Sequence, residues 1–196
     1  HDGELMPTLE LRKEVVRIIR AFNADVVLTH RPCDYHPDHR YTALAVQDAA
    51  YMVTVPHFCP DIPALRKNPV FFYTMDAFTK PTPFQADVAV DISEVMEGKW
   101  AMLDAMACQF YEWLPWLEGE DEFVPAGAQA RRAWLESRLS PLFREPADRA
   151  RAVLAQGYGA AAQEVEFAEL FEICEYGRRP SREELAELFP FLPETG

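Results

Sequence analysis

An amphipathic helix that runs straight into a short apolar strand restricts the fold of this chain more than any other feature. Leu11, Val15, Ile18, Ile19 and Phe22 recur at helical spacing over residues 8–22. Thr8, just after Pro7, suits the N-cap, and Asn23 suits the end. Residues 24–30 then read as a central parallel strand. Its core, Val26-Val27-Leu28, is the kind of apolar run that a parallel sheet covers on both faces. A polar loop follows over 31–37, and a second helix runs from Asp38 or His39 to about Val53. Two more strands are expected over 70–75 and 87–91, with a proline-rich loop at 80–83 between them. A third helix is expected over 93–109, an acidic loop over 115–127, and a mainly helical remainder. In that remainder Ser181 and Glu184 form a capping box. This order predicts an α/β fold, a layered parallel sheet with a helical C-terminal tail.

The net charge of −13 argues against nucleic acid and against anionic membrane surfaces, both of which need basic patches. No apolar run approaches the ~20 residues of a membrane span. Cys33, Cys59, Cys108 and Cys174 are far apart and form no C-x-x-C pair, so reduced thiols in a cytoplasmic protein are expected and a zinc finger is not. A homo-oligomer is compatible with the composition but is not specified by it.

Chemistry concentrates just after the first strand, in Thr29-His30-Arg31-Pro32-Cys33-Asp34-Tyr35-His36-Pro37-Asp38-His39-Arg40. The rim past the carboxyl ends of parallel strands is where open α/β sheets bind ligands. With Asp38 as the N-cap, His39 falls in the first helical turn, where a neutral imidazole can ligate zinc. His36 can face the same cavity, and Asp38 can hydrogen-bond a ring and fix its tautomer. A histidine oriented in this way, and charged, is suited to stabilise an oxyanion. Taken alone, the string equally fits a polar loop with a good cap. A catalytic zinc takes about three protein ligands, and only His1 and His57 remain as further histidines. His57 alone reads as a loop or pocket-wall residue. Arg31, Arg40 and Tyr35 flank the string as candidate contacts to substrate oxygens, and Asp2-Gly3 reads as a turn. Tyr111, Trp113 and Trp116 read as packing or interface residues before sugar binders.

Residues 24–51 resemble the PIG-L/LmbE family of deacetylases. The lead-in over 1–23 and the stretch Gln109-Phe110-Tyr111-Glu112-Trp113-Leu114-Pro115-Trp116 are similar to that family as well. The resemblance implies a Rossmann-like sheet and hydrolysis of an N-acetyl group from an N-acetylglucosamine-type small molecule, with Zn2+ as cofactor. It implies that His39 is a metal ligand, that His36 stabilises the oxyanion and that Asp38 orients it. Fe(II) is an alternative occupant of such a site. It further divides the chain into a deacetylase α/β domain over 1–116 and a mostly helical extension over 117–196.

Two departures qualify this. The family's Ala-His-Pro-Asp-Asp motif, which supplies a histidine ligand, an aspartate ligand and the general base, does not occur in the sequence. The simplest expectation is an N-terminal truncation that removes the first strand and leaves the fragment inactive. Where many relatives have His-x-Ser-Gln, this chain has Met106-Ala107-Cys108-Gln109. The rival functions are a non-catalytic sugar-binding module or pseudoenzyme, and a different hydrolase using His36, Asp38 and His39.

Overall fold

The structure is a computed structural model that describes residues 1–190 and 192. It divides into two compact units, one made of residues 1–88 with those from Leu170 onward, the other of Ala89–Glu169.

In the first unit, helix α1 spans Leu9–Phe22. The Thr8 side chain accepts the Leu11 N–H, and Asn23 ends the helix in the left-handed conformation at φ 53°. Strand β1 spans Val26–Thr29, helix α2 Pro37–Met52 and strand β2 Val70–Thr74. β1 and β2 are parallel, in register from Val26 opposite Val70 to Thr29 opposite Tyr73. Between α1, α2 and β2 lies a core that includes Val16, Ile19, Ala49, Val53, Phe71 and Cys174. Helix α7 spans Arg182–Leu188 and carries the expected capping box between Ser181 and Glu184.

Strand β3 spans Val88–Asp91, and a further strand, β4, spans Ala168–Ile173. The sheet order is β1-β2-β4-β3, and β4 runs antiparallel to β2. The α/β layering is as expected, but the sheet is mixed. β4 comes from the stretch read as helical tail, and a central position for β1 is not what forms. Among the described residues β1 is an edge strand, and Leu28 is 51% exposed. The apolar run reports what a strand can bury, not its place in the order.

In the second unit, the helix expected over 93–109 is broken. A 3₁₀ turn at Ser93–Val95 leads into α3, Met96–Ala105, and Met106 leaves the helical region. A π-helical turn, Cys108–Trp113, joins α4, Leu114–Glu118, which Gly119 ends at φ 72°. Helices α5, Ala128–Arg149, and α6, Arg151–Tyr158, follow. The core gathers Met96, Trp100, Tyr111, Leu135, Leu139 and Phe167. Burial and the hydrogen bond to Asp104 push the Tyr111 hydroxyl up to about 12. Of the aromatic cluster, Tyr111 packs inside, while Trp113 and Trp116 stack on each other in the open, with ring centroids 5.5 Å apart. No described helix is long and apolar enough to cross a membrane. The four cysteines are free thiols.

One cation holds the loop after α2 in place. Arg20, 4% exposed, donates to the carbonyls of Met52, Val53, Val55, Phe58, Cys59 and Ile62. Buried carbonyls need such partners. Arg20→Leu strands them, and hydrogen bonds to charged groups are worth ~1.5–3 kcal/mol each. The expected outcome is a loss of about 3 kcal/mol or more of unfolding free energy, read as a lower urea midpoint with an unchanged slope.

Candidate metal and oxyanion site

The loop between β1 and α2 is built around Asp34. One of its carboxylate oxygens accepts the His36 backbone N–H at 2.8 Å and lies 3.1 Å from Nδ1 of His39. Arg40, one turn into α2, donates to the carbonyls of Asp34 and Tyr35 at 2.7 and 2.9 Å. The loop is therefore tied at both ends before any ligand arrives.

The helix begins two residues earlier than the Asp38 cap predicted. Pro37 occupies the first turn, where its fixed φ and missing N–H cost nothing. His36 becomes the N-cap, and its Nδ1 accepts the Asp38 N–H at 3.2 Å. The Asp38 carboxylate turns instead to the backbone of the opening residues, accepting from Gly3 at 2.7 Å and Leu5 at 3.1 Å. Partial burial would raise the Asp38 carboxyl, but those amides and nearby His36 outweigh it and hold it below the ordinary carboxylate range. The opening turn forms at Asp2-Gly3, with Gly3 at φ 81°. Asp38 thus orients His36 through its backbone amide, while its side chain anchors residues 3–5.

The two imidazoles are fixed in opposite senses. An Nδ1 that accepts a backbone N–H leaves the proton of neutral His36 on Nε2, which becomes a donor. An Nδ1 held against a carboxylate keeps its proton there, which leaves Nε2 of His39 with a free lone pair. The rings lie side by side, with centroids 4.7 Å apart, and His30 stacks on His39 at 4.8 Å. Burial lowers the His30 pKa and His39 lowers it further, against the pull of Asp34. His30 is therefore neutral near pH 7.

The other flanking residues sort clearly. Arg31 is 4% exposed, and its guanidinium is taken up by protein partners. It makes a two-pronged ion pair with Asp76 at 2.7 and 2.6 Å and donates to the carbonyls of Phe78 and Thr82. It thereby clasps the proline-rich loop beside the histidines. Arg40 serves the loop backbone. Burial raises the Cys33 thiol pKa, against the pull of Arg31. His57 is exposed in the loop after α2. Tyr35 is exposed, edge-on to both His36 and His39.

Among the described residues, the group of three whose ligand atoms converge within 4.8 Å is Asp2, His36 and Asp38, and it does not include His39. Its donor set suits a metal poorly. The outward nitrogen of neutral His36 carries a proton, and both Asp38 oxygens hold backbone amides. Asp2 is exposed, 3.4 Å from Nε2 of His36. His39 is the residue whose free nitrogen and carboxylate-held partner nitrogen match a metal ligand. Two cavities of about 520 Å³ lie elsewhere, one beside Tyr73, Asp87 and Glu172, the other beside Arg20, Asp25 and Arg66. Sequence reasoning passed over Asp34. Its signal was a carboxylate two residues before one histidine and five before the next, a spacing that only the turn makes meaningful.

Comparison with known proteins bears on the same residues. Residues 1–50, which contain the whole histidine string, match the family model described as PIG-L, GlcNAc-PI de-N-acetylase. The diacetylchitobiose deacetylase of Thermococcus kodakarensis is 34% identical over 130 residues, 59% of this chain and 45% of that protein. The chain therefore spans less than half the length of that curated relative. Among solved structures, GalB, the 4-carboxy-2-hydroxymuconate hydratase of Pseudomonas putida, superposes with a TM-score of 0.60 at 16% identity, covering 91% of this chain and 63% of that one. The N,N'-diacetylchitobiose deacetylase of Pyrococcus horikoshii gives 0.57 at 19% identity, over 94% and 59%. The conserved protein TT1542 of Thermus thermophilus gives 0.52 at 19%, over 92% and 66%. At these identities the structures speak for the fold alone. Residues 1–50, which hold the histidine string, are thus similar to the PIG-L family, and the chain shares its fold with these structures.

Proposed function

We propose that this chain carries one metal ligand and the oxyanion donor of a zinc-dependent N-deacetylase acting on N-acetylglucosamine-type small molecules. The observation that supports the reading is the opposite fixing of His36 and His39, one Nδ1 on a backbone N–H and the other on a carboxylate, with ring centroids 4.7 Å apart. The relative named for diacetylchitobiose supports an amino-sugar substrate.

His39 presents Nε2 to the metal, and Asp34 holds Nδ1, sets the tautomer and raises the basicity of the ring. Zinc, when bound, supplies Lewis-acid polarisation of the acetamide carbonyl and a water of lowered pKa. His36 donates from Nε2 to the carbonyl oxygen as negative charge develops there. The Asp38 amide keeps that donor aimed, and Asp2 is the group it faces while no substrate is present. The 196 residues contain no Ala-His-Pro-Asp-Asp motif, so the two ligands and the base which that motif supplies in the family are not among them. One good ligand is too few for a catalytic zinc. A sugar site without hydrolysis is the rival reading, favoured by that short ligand set.

Two outcomes are expected. The 196-residue chain by itself binds zinc weakly and releases no acetate from N,N'-diacetylchitobiose. Extended by a segment that carries the motif, it binds zinc tightly and releases acetate, and His39→Ala then loses the metal while His36→Ala keeps it and loses about 10²–10³-fold in turnover. Zinc content by mass spectrometry and acetate release decide this. Stoichiometric zinc in the extended His39→Ala protein would sink the ligand assignment, and sugar binding without acetate would favour the rival. Separately, Asp34→Asn in the extended chain should weaken zinc affinity by about 10–100-fold. Competition with a fluorescent chelator measures it, and an unchanged affinity would remove Asp34 from the site.

A further inference from the structure

Tyr35 is an exposed residue of the histidine loop that the foregoing chemistry does not use. Its side chain is 76% exposed, an unusual position for a ring inside a tightly tied loop. It stands edge-on to His36 at 6.0 Å and 89°, and to His39 at 6.0 Å and 75°. On a further side Phe78 approaches at 6.4 Å, tilted by 51°. Both aromatic residues are held by their backbones. The Tyr35 carbonyl accepts from Arg40, whose guanidinium also holds the Asp34 carbonyl. The Phe78 carbonyl accepts from buried Arg31, and its N–H donates to Asp76 at 2.9 Å. Two separate arginine clasps thus place the Tyr35 ring against the imidazoles and the Phe78 ring against Tyr35, with the tyrosine ring open to solvent.

A rigid, exposed ring beside a hydrogen-bond donor is suited to a ligand with an apolar face and a polar substituent at its edge. A pyranose has this form, because its axial C–H bonds make a flat apolar face while its hydroxyl and acetamido groups lie round the rim. Pre-placement by the arginine clasps lowers the ordering cost on binding. We propose that Tyr35, backed by Phe78, is the specificity-determining wall of the site, on which the pyranose ring of an N-acetylhexosamine stacks so that its 2-acetamido carbonyl meets Nε2 of His36. This rests on the amino-sugar reading of the site. It differs from a role for the Tyr35 hydroxyl in donating to the oxyanion, because stacking needs only the ring.

The test is ligand binding, independent of turnover and of metal. The 196-residue chain and its Tyr35→Phe, Tyr35→Ala and Phe78→Ala variants are titrated with N,N'-diacetylchitobiose and, separately, with N-methylacetamide, which has the amide but no ring. Ligand-observed NMR gives the dissociation constants, and far-UV circular dichroism checks folding. The expected result is that Tyr35→Phe binds the disaccharide like the parent, Tyr35→Ala binds it about tenfold more weakly, Phe78→Ala falls between, and N-methylacetamide does not distinguish the four. Equal disaccharide affinity in Tyr35→Ala overturns the proposal, as does loss in Tyr35→Phe as large as in Tyr35→Ala. Failure of the parent to bind the disaccharide overturns it too. Disaccharide binding with the expected order but no acetate release from the motif-extended chain would leave the wall standing and remove the deacetylase reading.

Discussion

One carboxylate oxygen of Asp34 sets the geometry on which the site depends. It takes the His36 backbone N–H and the His39 Nδ1 together. The first bond turns the chain so that His36 can cap α2, and the second fixes which nitrogen of His39 is free. Because α2 starts at Pro37, its first turn carries both His36 as cap and His39 as a helical residue. The same turn therefore leaves one of two identical side chains with an outer nitrogen to donate and the other with an outer nitrogen to accept. The difference between them is not in the residues but in what each Nδ1 meets, a backbone N–H in one case and a carboxylate in the other.

Around that turn, an acidic protein places two of its cations inside. Arg20 satisfies the carbonyls of the loop after α2, and Arg31 pairs with Asp76 and gathers carbonyls of the proline-rich loop. Each replaces what a strand or helix would otherwise do for buried backbone oxygens, and each lets an irregular segment lie against the first unit's core. The planar fork of a guanidinium reaches several acceptors from one fixed position, which a lysine does not. Arg40 plays the same part on the histidine loop at shorter range. Arg31 and Arg40 thus hold the segments beside the histidines, and Arg20 the loop after α2, although these loops contain little regular structure.

The fold does not choose the chemistry. Structures that superpose on this chain include a hydratase and a deacetylase, and a shared architecture is compatible with both. What narrows the choice is the site. In the proposed reading, an imidazole whose outer nitrogen is left to donate, beside one whose outer nitrogen is left to accept, matches charge building up on a carbonyl oxygen next to a metal. That match stands on distances within one loop and does not depend on the two cavities found elsewhere on the surface.

The sequence by itself determined the local elements and the place of the chemistry. The spacing from Leu11 to Phe22, the Thr8 cap and the Asn23 terminus define α1, and the apolar run defines β1, because backbone periodicity and capping act within a few residues. It also put His36 and His39 on one side of the strand's carboxyl end. Tertiary structure alone decided the rest. β4 sits between β2 and β3 because its burial is satisfied by strands distant in sequence, although its composition reads like the helices before it. β1 is an edge strand because strand order is a long-range property. The helix breaks at Met106, between Trp100 and Tyr111, which share one core. Asp38 holds Gly3 and Leu5, and Asp34 holds His39, because hydrogen-bond partners are chosen by the turn after it forms. Residue types and spacings name the groups that can react, while only the folded chain says which atom of each group is left free to do so.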